Sequence, residues 1–386
     1  MNVGILCGAP PNINDAVGDF SWLLAQELSS KHNVSLIVSG VDDTVSPVNT
    51  SPVSIYPVSN GWGIQTVKDV LHLVQRLKPQ IILVHFVPQL YGWYGSKPFF
   101  VLLLMILRIK GSRIITVAHE FSVPFGPSLK LMLLASIHQL FLRVILKASR
   151  RIVLTTQDRF DLFKQRFPRR KADFHKIPIG CTIPVTPIDD AKKQHMRRRL
   201  GIRAEELVVS TFSSVVGLDR KLLAKLFNWF ICEGWPIRIL LIGKGGEALQ
   251  RKLAHDPAIL ERIVVTGPVS SEAVSEYLSL SDLYVVFYNG GASTRRTSLM
   301  APLAHGTPSI SNRGALTDPS FASSGALQLM NGVMEEADIR LLRQLCKDTE
   351  MRRRLGKHGQ AFFEEHFSWA KIGQQYLHVL QDALAK

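Results

Sequence analysis

Short runs of apolar and β-branched residues recur along the first half of the chain, separated by stretches long enough for a helix. They lie at residues 3–7, 34–38, 81–85, 113–117 and 151–155. Runs of this length and composition predict strands, and their alternation with helical stretches predicts repeated β-α-β units. The first half of the chain is therefore expected to form a parallel α/β sheet.

This pattern weakens between residues 178 and 206, where prolines, aspartates and a basic cluster at 192–199 replace the apolar runs. We interpret this stretch as a linker with a solvated helix, which predicts a domain boundary near residue 180. The strand pattern then resumes at residues 207–212, 237–242, 262–265, 283–287 and 308–311. The prediction is two Rossmann-like lobes, residues 1–180 and 181–366. Because ligands bind beyond the carboxyl ends of parallel strands, two such lobes facing each other would enclose a cleft suited to two substrates.

Composition supports folded domains. The chain has 386 residues, of which 46% are hydrophobic and 20% charged, and this balance excludes a largely disordered protein. The four cysteines, Cys7, Cys181, Cys232 and Cys346, are far apart and form no CxxC pair, so neither a zinc site nor a disulfide framework is predicted.

The first residues lack the pattern of a signal peptide. The longest apolar run, 98–107, is about half of the roughly 20 residues that span a bilayer, and no transmembrane segment is predicted.

The formal net charge of +15 predicts attraction to an anionic partner, which could be a nucleotide, a phospholipid surface or nucleic acid. No zinc-finger spacing, RNP-type aromatic motif or basic heptad array is present, which disfavours nucleic acid. Charge alone does not choose between a nucleotide and a phospholipid surface.

The stretch from Tyr288 to Ser311 carries the clearest candidate chemistry. It reads as a strand end, a glycine turn, a helix and a second strand. Gly290 and Gly291 can adopt backbone angles closed to other residues and admit a ligand close to the main chain. Ser293 or Thr294 is expected to cap a helix whose N-terminus would bind a phosphate. The alternative is an ordinary strand-to-helix turn.

Several separate segments, in the same order, resemble the GT-B glycosyltransferases, in particular the retaining glycosyltransferase family 4. The resemblance covers nearly the whole chain and includes a match to the family's Ala-x-Gly-x-Pro turn, Ala304-His-Gly-Thr-Pro308. The other segments are Asn14-Asp-Ala-Val-Gly-Asp-Phe20, Ile115-Thr-Val-Ala-His-Glu120, Ile177-Pro-Ile-Gly-Cys-Thr-Ile-Pro184, Leu240-Leu-Ile-Gly-Lys-Gly-Gly246, Val264-Val-Thr-Gly-Pro268 and Phe367-Ser-Trp-Ala-Lys-Ile372. The last segment implies a terminal helix, residues 367–386, that crosses back to the first lobe.

The resemblance implies roles for particular residues of the first lobe. His119 corresponds to the family's active-site histidine, which contacts the transferred sugar. Its neighbour Glu120 is either a second active-site residue or a surface residue. Gly18 and Asp19 lie in the acceptor-side loop, where Asp19 either orients acceptor or phosphate or caps the following helix.

In the second lobe, Gly243 belongs to the glycine turn of the donor site. The chain departs from the family where two glutamates usually stand, because Ser293 and Ala301 occupy those positions. Arg220 and Lys221 are the candidates for the family's basic pair that binds the donor phosphates. Arg295 and Arg296 are expected in the first turn of the donor-loop helix, where one of them could bind a diphosphate. These departures indicate a variant subgroup among bacterial members.

Residues 129–151 form a long apolar stretch with basic residues at its ends. Two interpretations stay open. The helix packs on the sheet of its own lobe, or it lies at the interface of an anionic membrane.

The sequence thus predicts a hexosyltransferase-type enzyme. It would transfer a sugar from a nucleoside diphosphate sugar to a hydroxyl of a glycan or lipid-linked acceptor, with retention of configuration, in the biosynthesis of a polysaccharide or another glycan. Neither a cofactor nor a metal is expected, and the expected location is the cytoplasm, at the inner face of the membrane. The alternatives are a non-catalytic GT-B protein that binds a partner or glycan, and a basic peripheral membrane protein.

Overall fold

The computed structural model describes residues 1–11, 16–39, 48–50, 52–91, 98–120, 128–212, 217–253, 257–331 and 334–385. The chain forms two compact units. The first comprises Met1–Pro178 together with Trp369–Lys386, and the second comprises Ile179–Ser368. Asn14 and Asp15, the first two residues of the predicted segment that ends at Phe20, lie outside the described residues.

A parallel sheet with one antiparallel edge strand forms the centre of the first unit. Its described strands are β1 (Asn2–Cys7), β2 (Asn33–Ser39), β3 (Val48–Thr50), β4 (Val53–Val58), β5 (Ile81–Phe86), β6 (Arg113–Ala118), β7 (Arg151–Leu154) and β8 (Phe174–Lys176). They lie in the order β3-β4-β2-β1-β5-β6-β7-β8, and only β3 runs antiparallel to its neighbour. The register pairs Cys7 with His85 and Phe86 with Ala118. The central strands therefore end together at one edge of the sheet.

The helices that connect these strands are α1 (Ala16–Ser29), α2 (Ile64–Leu77), α3 (Pro98–Ile109), α4 (Leu129–Ala148) and α5 (Gln157–Arg166). Helices α2, α3 and α4 share one apolar core with the sheet, in which Ile145 of α4 and Leu104 of α3 are fully buried. Ser128 caps α4 by accepting a hydrogen bond from the Leu131 amide at 3.3 Å. Helix α4 thus packs against the sheet of its own unit, which is one of the two interpretations of this segment.

By length and composition alone, α4 is the one helix among the described residues that could cross a membrane, although only 28% of its most apolar 18-residue stretch is buried.

The second unit contains a sheet whose described strands are all parallel to their neighbours. They are β9 (Leu207–Phe212), β10 (Ile237–Ile242), β11 (Ile263–Gly267), β12 (Leu283–Val285), β13 (Ser309–Asn312) and β14 (Gln328–Met330), in the order β11-β10-β9-β12-β13-β14. From β9 the chain first builds β10 and β11 on one side. It then returns to build β12, β13 and β14 on the other side, so the strand order reverses between β9 and β12.

The described helices of this unit are α6 (Asp190–Arg199), α7 (Arg220–Cys232), α8 (Gly246–Leu253), α9 (Pro257–Leu260), α10 (Ser271–Leu280), α11 (Thr297–Ala304), α12 (Pro319–Ser324), α13 (Glu336–Lys347) and α14 (Thr349–His366). Two apolar cores cover the sheet, one on each face, and α11 and α7 lie in different ones. The last helix, α15 (Trp369–Ala385), belongs to the first unit and packs on α1.

Four strands were not predicted from the sequence: β3, β4, β8 and β14. Three of these have only three residues each, and β3, β8 and β14 lie at sheet edges. A short edge strand is supported by one neighbour and needs no long apolar run, so its composition does not distinguish it from a loop.

Candidate functional site

The edge of the second sheet between β9 and β12 is where ligands of open α/β sheets usually bind, because the two following loops separate there. In this chain hydrogen bonds join those loops. The Asp219 amide donates to the Phe287 carbonyl at 2.8 Å, and the Asn289 amide donates to the Gly217 carbonyl at 3.1 Å. The start of α7 is thereby held beside the loop that follows β12.

Arg220 and Lys221 occupy the first two positions of α7, behind Asp219, whose carboxylate accepts a hydrogen bond from the Leu222 amide at 3.0 Å. Arg220 is half-buried and Lys221 is exposed. Cations in the first turn of a helix are unfavourable for the helix dipole. Their presence here concentrates positive charge at the reversal point of the sheet.

Arg296 lies at the same point. Its guanidinium carbon is 5.0 Å from the centre of the Tyr288 ring, a cation–π geometry. On its other side is Gly217, which has a φ of 86°. A Cβ built on Gly217 would lie 2.8 Å from Nη2 of Arg296. Glycine at 217 therefore both permits the turn and leaves room for the guanidinium.

The donor-loop helix begins later than the sequence predicts. Helix α11 starts at Thr297 with Arg296 as its N-cap, and no side chain provides the capping hydrogen bond. Neither Ser293 nor Thr294 is the cap, and neither Arg295 nor Arg296 lies in the first helical turn. The reason is tertiary: Thr294 is buried, and its hydroxyl donates to the Asp318 carboxylate at 3.1 Å. The buried Ser293 precedes Arg295 in a turn closed by a 3.2 Å hydrogen bond from the Arg296 amide to the Ser293 carbonyl.

Gly290 and Gly291 are in contact with another loop of the chain. A Cβ on Gly290 would lie 2.9 Å from the side chain of Leu316. One on Gly291 would lie 2.2 Å from the Thr317 hydroxyl and 2.5 Å from the Gly314 amide. The space that glycine leaves open is filled by residues 314–317, so these glycines serve close packing of two loops. Ala301, where the family resemblance led us to expect a glutamate, is fully buried in α11.

Gly243 follows β10, next to β9. It has a φ of 88°, and its amide donates to the Thr266 hydroxyl at 3.0 Å. Three residues later, Gly246 starts α8 so close to β10 that a Cβ would lie 3.0 Å from the Leu241 carbonyl. The two glycines thus form a sharp turn that brings the start of α8 onto the sheet edge.

In the first unit, His119 directly follows β6. It lies beside His85, the penultimate residue of β5. His85 Nδ1 lies 3.3 Å from His119 Nε2, and the two rings are stacked with centres 5.5 Å apart. Phe20 of α1 packs against both rings and also against Trp369 of α15. His85 was missed by the sequence analysis, although it ends the predicted strand 81–85.

Both imidazoles are held neutral. Burial, followed by the positive charge of Arg159, lowers the pKa of His119 to about 4. Burial, followed by the proximity of His119, lowers the pKa of His85 well below its ordinary value. Nε2 of His85 is buried and has no hydrogen-bond partner among the described residues. Because an orphaned N–H is rarer and costlier than a bare acceptor, His85 is expected to carry its proton on Nδ1 and donate it to His119 Nε2. His119 then donates through Nδ1.

The remaining predicted residues of the first unit are Glu120, next to His119, and Gly18 and Asp19, next to Phe20. Glu120 is half-buried, and its amide is 3.5 Å from the Phe86 carbonyl. Helix α1 begins at Ala16, so Gly18 and Asp19 lie within its first turn and Asp19 is not the cap of a following helix. A Cβ on Gly18 would lie 2.4 Å from the Pro10 carbonyl. Glycine at this position therefore lets α1 pack against the loop after β1. No three His, Cys, Asp or Glu residues of the described part of the chain cluster as metal ligands do.

Neither a family model nor a curated protein matches this sequence. Solved structures do match its fold. Sucrose-phosphate synthase from Thermosynechococcus elongatus aligns over 100% of this chain and 99% of its own, with a TM-score of 0.75 and 16% identity. HepE from Anabaena, in complex with UDP and glucose, aligns over 99% and 100%, with a TM-score of 0.72 and 14% identity. The catalytic domain of starch synthase IV from Arabidopsis thaliana, bound to ADP and acarbose, covers 100% and 99%, with a TM-score of 0.68 and 15% identity.

The chain has the GT-B fold. The two sheets described above correspond to the two α/β lobes of these structures. At this level of identity the likeness establishes the architecture, and the chemistry has to be argued from the residues of this chain.

Proposed function

We propose that this GT-B protein is a glycosyltransferase of the hexosyltransferase type. It would move a sugar from a nucleoside diphosphate sugar to a hydroxyl of a glycan or lipid-linked acceptor, with retention of configuration. The observation that carries the proposal is the position of Arg296. Its guanidinium lies at the strand-order reversal of the second sheet, held between Gly217 and Tyr288.

The diphosphate of the donor would bind at this point. A guanidinium can donate two parallel hydrogen bonds to a phosphate, and Arg220, Lys221 and the N-terminus of α7 add positive charge nearby. During sugar transfer negative charge develops on the departing nucleoside diphosphate, and a fixed guanidinium stabilises it most when it grows. HepE and starch synthase IV were solved with UDP and with ADP, which supports a nucleotide ligand for this fold.

The hydrogen bonds that a ribose needs must come from elsewhere in this chain, because Ser293 and Ala301 are buried and lack carboxylates. Arg295 precedes α11 and is half-buried, so part of its side chain is accessible. It is proposed as a second ligand for the phosphates or for the ribose. Gly243 and the start of α8 would admit the nucleotide to the edge of β10.

His119 is assigned to the transferred sugar. With a pKa of about 4 it is neutral at physiological pH, so it can donate a hydrogen bond to a sugar oxygen without carrying a charge. Asp19 and Glu120 are proposed to bind the acceptor, since Asp19 is on α1 beside Phe20, which packs on His119. In this scheme the guanidinium and the helix dipole perform the charge stabilisation that a divalent cation performs in other transferases.

A thermal-shift titration of the whole chain with UDP, GDP, ADP and their common sugar conjugates tests the proposal. A nucleotide present at ~100 times its dissociation constant adds about 2.7 kcal/mol to the free energy of unfolding. We expect one nucleotide to raise the melting temperature selectively, and Arg296→Ala to abolish that rise. Arg340→Ala, which changes an exposed arginine of α13 that pairs with Glu336, is the matched control and should keep the rise.

Sugar transfer is then measured with the selected donor and a mixture of glycan acceptors. Absence of any nucleotide-dependent shift would contradict the proposal and favour the non-catalytic GT-B alternative. If the nucleotide still raises the melting temperature of Arg296→Ala, the nucleotide binds without Arg296, and the assigned donor site is wrong.

A further inference from the structure

The outer face of α3 and α4 is unusually apolar for a surface exposed to water. The inner side of α4 packs on the sheet through Ala135, His138, Leu142 and Ile145. The opposite side carries a continuous stripe at alternating spacings of four and three residues, as expected for one helix face. Its exposed members are Leu129, Leu133, Ser136, Leu140, Arg143 and Lys147.

Each exposed leucine of the stripe is more than half accessible. Leu129 is 85% exposed, Leu133 65% and Leu140 56%, and Met132 beside them is also exposed. Helix α3, which packs against α4 in the same core, adds Leu102 and the 78% exposed Ile109. Isolated exposed leucines are common, but exposed apolar residues that recur along one face of a helix, with more of them on the helix packed beside it, mark an interaction site.

Positive charge borders this face. Arg143 and Lys147 continue the stripe of α4, and Arg108 and Lys110 are exposed at the end of α3. Burial and then the neighbouring charges of Arg113, Arg151 and Arg108 lower the pKa of Arg150, as expected in a positive potential. In the sequence, Glu120 is the only acidic residue between Asp69 and Asp158.

We propose that this α3–α4 face docks on the surface of an anionic phospholipid bilayer. The leucines would enter the boundary between headgroups and acyl chains, and the arginines and lysines would contact lipid phosphates. The helix lies along the interface and does not cross it, because its inner side is part of the core of the first unit.

The orientation of α4 makes this position useful. The helix follows β6 and runs back from the carboxyl edge of the sheet, so its apolar first half lies towards the edge that carries His85 and His119. Docking would bring that edge near the bilayer, where an acceptor attached to a lipid is found.

Vesicle co-sedimentation of the whole chain without donor or acceptor tests this proposal independently of any transferase activity. We expect binding to phosphatidylcholine vesicles that contain phosphatidylglycerol and little binding to phosphatidylcholine alone. Binding should fall as salt is raised, since screening shortens the reach of surface charges to ~3 Å at 1 M. Leu133→Ser with Leu140→Ser should weaken binding by at least about tenfold, because two leucine side chains would no longer insert into the boundary between headgroups and acyl chains.

Arg143→Ser with Lys147→Ser should weaken binding by a similar factor, at about 1 kcal/mol for each basic residue, and reduce the salt dependence. Two controls match these variants. Leu162→Ser with Val185→Ser removes two exposed apolar side chains elsewhere, and Arg354→Ser with Lys357→Ser removes two exposed positive charges from α14. Both controls should bind like the unmodified chain.

Failure of the unmodified chain to bind anionic vesicles at physiological salt would overturn the proposal, as would equal losses in the test and control variants. Size-exclusion chromatography tests whether this face instead binds a second copy of the chain. If the chain dimerises through this face, Leu133→Ser with Leu140→Ser would yield monomers, and a lack of vesicle binding would then identify a second copy as the occupant.

Discussion

His85 Nδ1 and His119 Nε2 lie 3.3 Å apart at the carboxyl edge of the first sheet. Because both imidazoles are neutral, one ring donates a hydrogen bond to the other, and the tautomer inferred from the orphaned Nε2 of His85 makes His85 the donor. It fixes which nitrogen of His119 can donate to a ligand. His85 is thus a positioning residue, and His119 is the residue assigned to the sugar.

The first prediction concerns this hydrogen bond. In His85→Phe the donor to His119 Nε2 is lost, and kcat for sugar transfer should fall about three- to tenfold, the value of one hydrogen bond. His85→Asn keeps an N–H near the position of Nδ1 and should restore most of the rate. Steady-state kinetics would measure both, with KM for the donor expected to stay constant. If His85→Asn is as slow as His85→Phe, ring packing and not hydrogen bonding is the role of His85.

The second prediction concerns acid stability. The folded pKa values of His85 and His119 lie below those in the unfolded chain, about 6.5. Between pH 6.5 and about 4 the unfolded chain therefore binds more protons, and the free energy of unfolding falls as the pH falls. For His119 the loss between pH 7.5 and 5 should be on the order of 2 kcal/mol.

Chemical unfolding at both pH values would measure this loss. His119→Gln should show a smaller loss than the unmodified chain. His358→Gln, at an exposed histidine of α14, is the control and should show the full loss. An equal pH dependence in the unmodified chain and His119→Gln would disprove the assignment.

The third prediction distinguishes the effect of displacing the Arg296 guanidinium from the effect of backbone strain. Gly217→Ala would place a Cβ 2.8 Å from the guanidinium and should weaken nucleotide binding about tenfold by displacing it. Gly234→Ala is matched, because Gly234 also has a left-handed φ, 72°, but has no atom within 4 Å of a Cβ. Each variant should lose about 1–2 kcal/mol of stability from the backbone. Calorimetric titration with the selected nucleotide should show weaker binding in Gly217→Ala alone, and equal binding in both would be evidence against the assigned site.

The fourth prediction concerns the attachment of α15. Arg151 at the start of β7 is almost fully buried and pairs with Asp382 of α15 at 2.6 Å. The hydrogen bond that the Arg151 guanidinium donates to the Asp382 carboxylate raises the pKa of Arg151. Asp382→Ala would leave Asp173, 3.3 Å away, as the remaining carboxylate partner of this buried guanidinium, and should destabilise the chain by about 2–3 kcal/mol.

Glu336→Ala removes an exposed ion pair with Arg340 on α13 and should change stability by less than about 0.5 kcal/mol. Thermal unfolding would measure both variants. Limited proteolysis would show whether α15 detaches first, and a loss in Asp382→Ala no larger than that in Glu336→Ala would mean that the pair does not hold α15.

The two sheets, most of their strands and the position of His119 at the end of a strand could be predicted from local sequence patterns alone. Strands in the middle of a parallel sheet are covered on both faces, so they are apolar along their whole length and are visible as local runs. The end of such a run also locates the sheet edge where side chains meet a ligand. For the same reason His85 was within reach of sequence reasoning, since it ends the strand next to that of His119.

The arrangement of residues 290–297 depends on contacts between loops that are distant in sequence. Thr294 looked like a helix cap but donates to Asp318, 24 residues away, and this moves the start of α11 to Thr297. Gly290 and Gly291 looked open to a ligand but pack on residues 314–317, and Arg296 is positioned by Gly217 and Tyr288. These outcomes depend on which loops come into contact in the folded chain. A local sequence pattern does not show which distant residue a side chain will contact.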